Sequence, residues 1–335
     1  MQSASYLFDL LEIKGQDAAS FLQVRTTNDV LALKSGCGQL NCLLDRKAHV
    51  LALFSLHKLD ECYWLVAERE QIKQIVDELN QYLFNEKVEI INRQATGRFI
   101  TVQGLSARKF LIEPLGYELS AKLSDYDIVR VNLLDFQIRL IKRPLVGAEG
   151  YLLFVDKVDA DKFEKRLQKE SEKFGFSFLS SELLEILRIE SGIPGYGIDV
   201  TANNILPETG LVEQVVSYTK GCYLGQEVIA RIKSFGTPKQ GLIGLQFAYN
   251  EKYSFAIDSA IVCDGQVIGN IKSNIYSPTL KRTIAFAYLN KEYRVPNKNL
   301  PVDIAGNKYE VLVSLLPFQQ VSSVKEQAHK MYDED

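Results

Sequence analysis

Eight consecutive residues, Lys220-Gly221-Cys222-Tyr223-Leu224-Gly225-Gln226-Glu227, combine types that packing alone does not explain. Gly221 and Gly225 permit tight turns and close approach by another group. Glu227 opens the apolar run Val228-Ile229-Ala230, which reads as the start of a helix. A cysteine next to a lysine and just ahead of a helix N-terminus has two stabilisers of its thiolate. Cys222 is therefore a candidate functional thiol and Lys220 its cationic neighbour; the plainer reading makes Cys222 a small buried hydrophobe beside a turn. The other cysteines, Cys37, Cys42, Cys62 and Cys263, are irregularly spaced with no Cys-x-x-Cys pair. Neither a zinc ribbon nor a ferredoxin-type cluster site is written here, and reduced thiols are expected. His49, His57 and His329 show no metal-ligand spacing, so no metal is expected.

Upstream, Arg188-Ile189-Glu190-Ser191-Gly192-Ile193-Pro194-Gly195-Tyr196-Gly197 places two charges in the last turn of an apolar helix, before a Gly- and Pro-rich loop. Leu206-Pro207-Glu208-Thr209-Gly210-Leu211 follows. The paired acceptors of Glu190 and Glu208 suit a pterin-like amide–amine edge. A solvated helix end and a loop charge are the plainer readings.

From Leu187 to Leu245 the chain resembles a core signature shared by YgfZ-type folate-binding proteins and glycine-cleavage T-proteins. The matching motifs are Arg-x-Glu-x-Gly-x-Pro at Arg188–Pro194, Pro-x-x-x-Leu at Pro207–Leu211 and Lys-Gly-x-x-x-Gly-x-Glu at Lys220–Glu227. Cys222-Tyr223, and Gln226 before Glu227, resemble the YgfZ branch; T-proteins carry an acidic–aromatic pair and a lysine there. Weaker resemblance covers Phe21–Val30, Tyr82–Ile90 and Ile268–Tyr288. The resemblance implies a tetrahydrofolate, or a one-carbon derivative of it, in a central channel of the N-terminal region. Arg188, Glu190, Tyr196 and Glu208 are candidate contacts to it. The resemblance also implies partners: iron–sulfur client proteins or the cluster-assembly machinery. A tRNA methylthiolation enzyme is among the implied clients, so any effect on tRNA modification would be indirect.

Two departures narrow the expectation. T-proteins place a catalytic Asp after a Gly-Gly turn; Leu51 and Ala52 stand at the aligned positions. A leucine cannot ion-pair with or orient a folate nitrogen, so an accessory factor is expected before the alternative, a folate-dependent aminomethyltransferase or demethylase. T-proteins also carry a pterin-binding Glu in a Gly-Tyr-Thr-Gly-Glu loop, for which Glu149 in Gly147-Ala148-Glu149-Gly150-Tyr151 is the candidate. Arg130, Arg139 and Arg143 are candidates to hold a folate glutamate tail, since arginine clamps carboxylates bidentately.

These residues need elements to position them. Strands read at 6–13, 40–44, 48–56, 62–66 and 87–91, with a polar hairpin at Asp45-Arg46-Lys47. Asp17 reads as the cap of a helix whose apolar face is Phe21, Leu22 and Val24. Ile72, Ile75, Val76, Leu79, Tyr82 and Leu83 fall at helical steps, predicting a helix over 68–84. A second cycle has strands near 98–103, 127–133, 136–141 and 151–155 and helices near 106–112, 159–174 and 181–191. The last helix presents Leu183, Leu184, Leu187 and Ile189 as its apolar surface, and Gly192 and Pro194 end it. Beyond residue 238 short strands alternate with turns, Asp264-Gly265 and Gly306-Asn307 among them. The fold class is α+β: two tandem ferredoxin-like modules (1–95 and 96–237) forming a folate-binding region, a small β-barrel (238–320) and a polar tail (321–335).

The chain of 335 residues is 46% apolar and 24% charged, which is ordinary for a globular protein. Lys and Arg total 39 against 42 Asp and Glu, a net charge of −3 that gives no broad basic face. Direct nucleic-acid binding, which rests on many phosphate contacts, is not expected. The start Met1-Gln2-Ser3-Ala4-Ser5 lacks the pattern of a signal peptide, and no apolar run approaches the ~20 residues of a membrane helix. A cytoplasmic monomer without membrane contact is the expectation.

Overall fold

The structure is a computed structural model and describes residues 8–112, 123–147, 149–173 and 180–318. It divides into two compact units, one of Met1–Ser181, Thr201–Leu206 and Leu211–Phe235, the other of Glu182–Val200, Pro207–Gly210 and Gly236–Asp335. The predicted polar tail lies outside the described residues.

The first unit holds two sheets. Its first module runs β1 (Phe8–Lys14), α1 (Ala18–Arg25), β2 (Gly38–Leu44), β3 (Val50–Lys58), β4 (Cys62–Glu68), α2 (Ile72–Asn80) and β5 (Glu89–Asn92). The sheet order is β2-β3-β4-β1-β5, antiparallel throughout. Four of these strands, in the order β5-β1-β4-β3, make the ferredoxin-like pattern, and β2 adds an edge. The second module runs β6 (Gly97–Gln103), α3 (Ala107–Ile112), β7 (Ile128–Leu133), β8 (Phe136–Lys142), β9 (Gly150–Asp156) and α4 (Lys157–Lys173). Its order, β6-β9-β8-β7, repeats β1-β4-β3-β2 strand for strand.

β1 shows how sequence makes this core. Leu11 and Ile13 join Ala52, Phe54, Leu65 and the α2 residues Ile72, Ile75 and Leu79 on one face. Phe8 and Leu10 point the other way and join Trp64 and Val66 against Phe99, Ile128, Leu152 and Phe154 of the second sheet. A side chain alternation of period two thus buries β1 on both faces, at about 1.5–3 kcal/mol for each large side chain.

One polar group sits between the two sheets. His57 is fully buried. Its Nδ1 lies 2.8 Å from the Tyr126 carbonyl and its Nε2 2.9 Å from Ser55 Oγ. The carbonyl can only accept, so Nδ1 carries the proton and Ser55 donates to Nε2. Ser55 Oγ in turn accepts from Arg143 Nη1 at 3.0 Å. Burial, reinforced by the Arg143 charge, pulls the imidazole down to about 3, so it is neutral at pH 7.

The second unit contains a closed six-stranded barrel, β10 (Gln240–Tyr249), β11 (Ala260–Cys263), β12 (Gln266–Ser277), β13 (Arg282–Asn290), β14 (Asn299–Ile304) and β15 (Asn307–Ser314), ordered β10-β13-β12-β11-β14-β15. α5 (Ser181–Glu190) and the loop after it belong almost wholly to this unit, although the sequence pattern assigns them to the folate-binding region. The cause is polar. Asp199 Oδ1 accepts from Ser273 N at 2.9 Å, Tyr288 Oη donates to Asp199 O at 3.0 Å, and Thr279 Oγ1 donates to Glu190 Oε2 at 3.3 Å.

Other local expectations change for physical reasons. Asp17 makes no cap bond; its Oδ2 instead accepts from Lys87 N at 2.8 Å. Val24 is exposed, leaving Ala18, Phe21 and Leu22 as the buried apolar face of α1. α2 is shorter than predicted, because a 3-10 turn at Arg69–Gln71 precedes it. On α5 Leu183 is exposed, and Ile189 and Glu190 are the buried pair. The β14–β15 turn is Ala305-Gly306, both at positive φ, and Asn307 pairs with Ile304.

Candidate functional site

Four segments of the first unit converge at the β2–β3 hairpin. The connection Asp45–His49 is held by its own side chains. Asp45 Oδ1 accepts from Lys47 N at 2.8 Å and from His49 N at 2.9 Å, while Oδ2 lies 2.8 Å from His49 Nδ1. Burial works to raise the Asp45 carboxyl, but these bonds from His49 and Lys47 outweigh it and hold it below its usual range. Ala48 is fully buried at φ 65°, a conformation that costs a residue with a Cβ about 1 kcal/mol or more. Strand-like bonds clamp it: Leu206 N donates to Ala48 O at 2.9 Å and Val50 N to Asn204 O at 3.0 Å.

The 220–227 segment closes over this turn. Gly225 has φ 84°, and a Cβ there would lie 2.6 Å from Asp45 O and 3.2 Å from Ala48 Cα. Only glycine allows the segment to sit on the hairpin. Beside Gly221 there is open space instead, so close approach is a demand at one of the two glycines. α7 (Gln226–Phe235) then begins, with Gln226 N donating to Tyr223 O at 3.3 Å and Glu227 exposed in its first turn.

Lys220 is 8% exposed. Its Nζ donates to Thr26 O at 2.8 Å and Asn28 O at 2.7 Å, and lies 5.3 Å from the centroid of the buried Tyr223 ring. Burial pulls the ammonium down to about 8 and pushes the Tyr223 hydroxyl up to about 12. The ammonium thus fastens the 26–28 loop, a structural task that the expected pairing with the thiol does not include. Cys222 is exposed, whereas Cys42 and Cys263 are buried and Cys37 and Cys62 are intermediate.

Leu51 marks a β-bulge. Leu43 pairs with Ala52 and Leu44 with Val50, so residue 51 is the extra one. Bulges re-aim side chains and are common next to active sites. Leu51 lines a small cavity with Leu224, Leu79 and Tyr82. The position expected to lack a carboxylate therefore adjoins the 220–227 segment.

The remaining predicted residues fall elsewhere. In the first unit, Glu149 is half-buried before β9, and its Oε2 accepts from Tyr151 Oη at 2.9 Å. Its Oε1 has no hydrogen-bond partner among the described residues, which leaves an acceptor that fits the amine edge of a pterin. Arg188, in the second unit, has all five N–H donors engaged: by Glu185 twice, Asp199, the Ile193 carbonyl and Ser273. Burial opposes its charge, but Glu185 and Asp199 raise its pKa further. Arg188 is a clamp of its own unit with no donor left for a ligand. Glu190 is 4% exposed and accepts from the Ser277 and Thr279 hydroxyls, a buried anchor in place of a solvated helix end. Tyr196 and Glu208 are half-buried in the same unit.

The sequence reading does not include the Asp45–His49 pair or Asp199. A polar hairpin with Asp and His four apart carried a signal for the first; an Asp in a glycine-rich loop carried none for the second. Among the described residues no group of three or more His, Cys, Asp or Glu is placed to hold a metal ion. Among the described residues no helix is long and apolar enough to cross a membrane.

The GCVT N-terminal domain profile matches residues 6–220, and that of the glycine cleavage T-protein C-terminal barrel domain matches residues 241–319. The chain belongs to the glycine-cleavage T-protein family. Two family relatives are the aminomethyltransferases of Bacillus velezensis, 26% identical over 93% of this chain and 86% of that protein, and of Anoxybacillus flavithermus, 26% identical over the same shares. The crystal structure of the glycine cleavage system aminomethyltransferase T from Bartonella henselae superposes with a TM-score of 0.82 at 19% identity, covering 95% of this chain and 85% of that one. The T-protein fold, with its α+β region and C-terminal barrel, is thus common to both.

Proposed function

We propose that this T-protein-family chain is a tetrahydrofolate-binding accessory factor in the assembly or repair of iron–sulfur proteins, of the YgfZ type, working in the cytoplasm as a monomer. Leu51 carries the reading. The bulge that re-aims residue 51 is present, but the side chain on it is neutral and apolar. The acid that T-proteins use in one-carbon transfer has no counterpart at that position. Meanwhile the 220–227 segment is firmly seated and leaves Cys222 as the exposed thiol of the chain.

In this reading Glu149 offers its unpartnered carboxylate oxygen to the pterin of tetrahydrofolate or a one-carbon derivative. Lys220, Arg188 and Glu190 act by holding loops in place. Cys222 meets an iron–sulfur client or a member of the cluster-assembly machinery, and any consequence for tRNA modification passes through that client.

Calorimetry with tetrahydrofolate tests the cofactor, and absence of binding at millimolar ligand would sink it. The thiol is tested by Cys222→Ala in cells lacking the endogenous protein; full recovery of radical iron–sulfur enzyme activity would show it dispensable. The second reading is aminomethyltransferase, favoured by relatives of that name that align over 93% of this chain. Formation of methylene-tetrahydrofolate from an aminomethylated lipoyl donor would move it to first place.

A further inference from the structure

Arg25 is the last residue of α1, where a cation suits the helix C-terminus. That accounts for its charge but not for its hydrogen bonds. Its Cζ lies 4.0 Å from the centroid of the Tyr82 ring. A guanidinium stacked on an aromatic ring keeps a fixed plane and bonds through its edge. On that edge Nη1 is buried and has no hydrogen-bond partner. No hydrogen bond or ion pair joins any part of Arg25 to a described residue. Buried donors of this kind are rare, because each has given up a hydrogen bond to water.

Arg25 borders the small cavity that Leu51 and Leu224 line, and Leu44, Leu79 and Tyr82 extend its apolar wall. The volume is about 10 Å³, room for one water-sized group at a time. Glu78 is on the wall as well, half-buried and without an ion pair to Arg25. Glu86, which feels the Arg25 charge, has its Oε2 turned to Phe84 N at 3.0 Å and Asn85 N at 3.1 Å. A water at Nη1 would answer one donor and leave the charge uncompensated. A cation set beside leucines instead suits a group that is anionic at one end and apolar behind it.

We propose that this cavity binds a short alkyl carboxylate. One carboxylate oxygen accepts from Arg25 Nη1, and the alkyl stem lies against Leu44, Leu51, Leu79 and Leu224. Hydrogen bonds between arginine and a carboxylate are about twice as strong as neutral ones. Glu78 opposes a second negative charge, so a monocarboxylate is favoured over a dicarboxylate. The site depends neither on a folate nor on Cys222, and it stands or falls apart from the proposed function.

The experiment titrates formate and propionate into the full chain at constant ionic strength, read by saturation-transfer NMR. Saturable binding of propionate is expected, at least about fourfold tighter than formate because of its buried stem. Arg25→Gln should weaken it about tenfold. Leu51→Asp should weaken it as much, since residue 51 lines the cavity and its own carboxylate would take Nη1. That second variant keeps the test open if Arg25→Gln does not fold. Glu78→Gln should tighten binding. Trialanine, which carries the same carboxylate on a peptide, separates two sources. Tighter binding than propionate assigns the site to a protein C-terminus, and weaker binding to a free acid. No saturable binding by the wild-type protein, or equal affinities in wild type, Arg25→Gln and Leu51→Asp, would overturn the site. Formate binding as tightly as propionate would overturn the role of the leucines, and weaker binding by Glu78→Gln would show that Arg25 is not the ligand's anchor.

Discussion

In the second module the β7–β8 hairpin closes through Leu134-Asp135, two residues at φ 52° and 69°, with Leu133 paired to Phe136. This is a tight turn of the type that fits the twist of its strands. In the first module the topologically equivalent β2–β3 hairpin is longer. It holds a buried Ala48 at positive φ, an Asp45–His49 pair and a bulge at residue 51, and it is covered by Gly225. The strand order is the same in both modules, so topology does not account for the difference. One copy keeps a minimal turn; the other carries strain and is fastened from outside by residues distant in sequence. That asymmetry locates the candidate site in the first module, because strained turns persist where surrounding structure over-determines them.

Gly225→Val should break the comparison most sharply. It forces a Cβ onto Asp45 O at positive φ and is expected to destabilise the first unit by about 3 kcal/mol or more, read as a fall in urea midpoint. Asp135→Gly, in the other hairpin, should be neutral or stabilising by at most about 1 kcal/mol, since glycine relieves its positive φ. Equal losses in both variants would remove the asymmetry.

Lys220→Met comes next. It leaves the carbonyls of Thr26 and Asn28 without their donor and should cost about 2 kcal/mol in the same assay.

The His57 cluster joins the two modules and gives a pH signature. Its imidazole titrates lower in the folded chain than the ordinary 6.5, at about 3. The unfolded chain therefore binds the extra proton in that window, and stability should fall as pH drops from about 6.5 toward 3. The slope should approach about 1.4 kcal/mol per pH unit and be flat for this group above 6.5. His57→Gln should lose this slope in denaturant titrations at pH 7, 5 and 4.

Ala48→Gly is the smallest expected effect, a stabilisation of about 0.5 kcal/mol as relief of positive φ outweighs the added freedom of the unfolded chain. A loss of more than 1 kcal/mol would mean that the buried Ala48 methyl matters more than the strain.

Much of this was legible beforehand because it is local. β1 and β8 follow the alternation of their apolar residues, β3 and β9 are continuous apolar runs, and the Asp264-Gly265 turn follows its dipeptide. The 220–227 segment stood out by composition alone, and its demand for glycine proved real at Gly225. The pairings that the sequence does not show share one cause. Asp17, Lys220, Arg188 and Glu190 are polar residues whose types point to partners nearby, along the helix, beside the thiol or in a ligand. Their partners are Lys87, Thr26 and Asn28, Asp199 and Ser273, and Ser277 and Thr279. Most of these lie far along the chain, and no periodicity encodes such pairings.

By itself the sequence determined the α+β class, the strand-rich C-terminal barrel, the neutral residue at position 51 and the unusual motif around Cys222, because each follows from residue type or short-range spacing. Only the tertiary structure decided which of the five cysteines is exposed, that Lys220 and Arg188 are committed to protein partners, and that Arg130 and Arg139 face each other across β7 and β8. Burial and hydrogen-bond satisfaction are properties of neighbours brought together by folding, and a donor's fate is known only when its surroundings are.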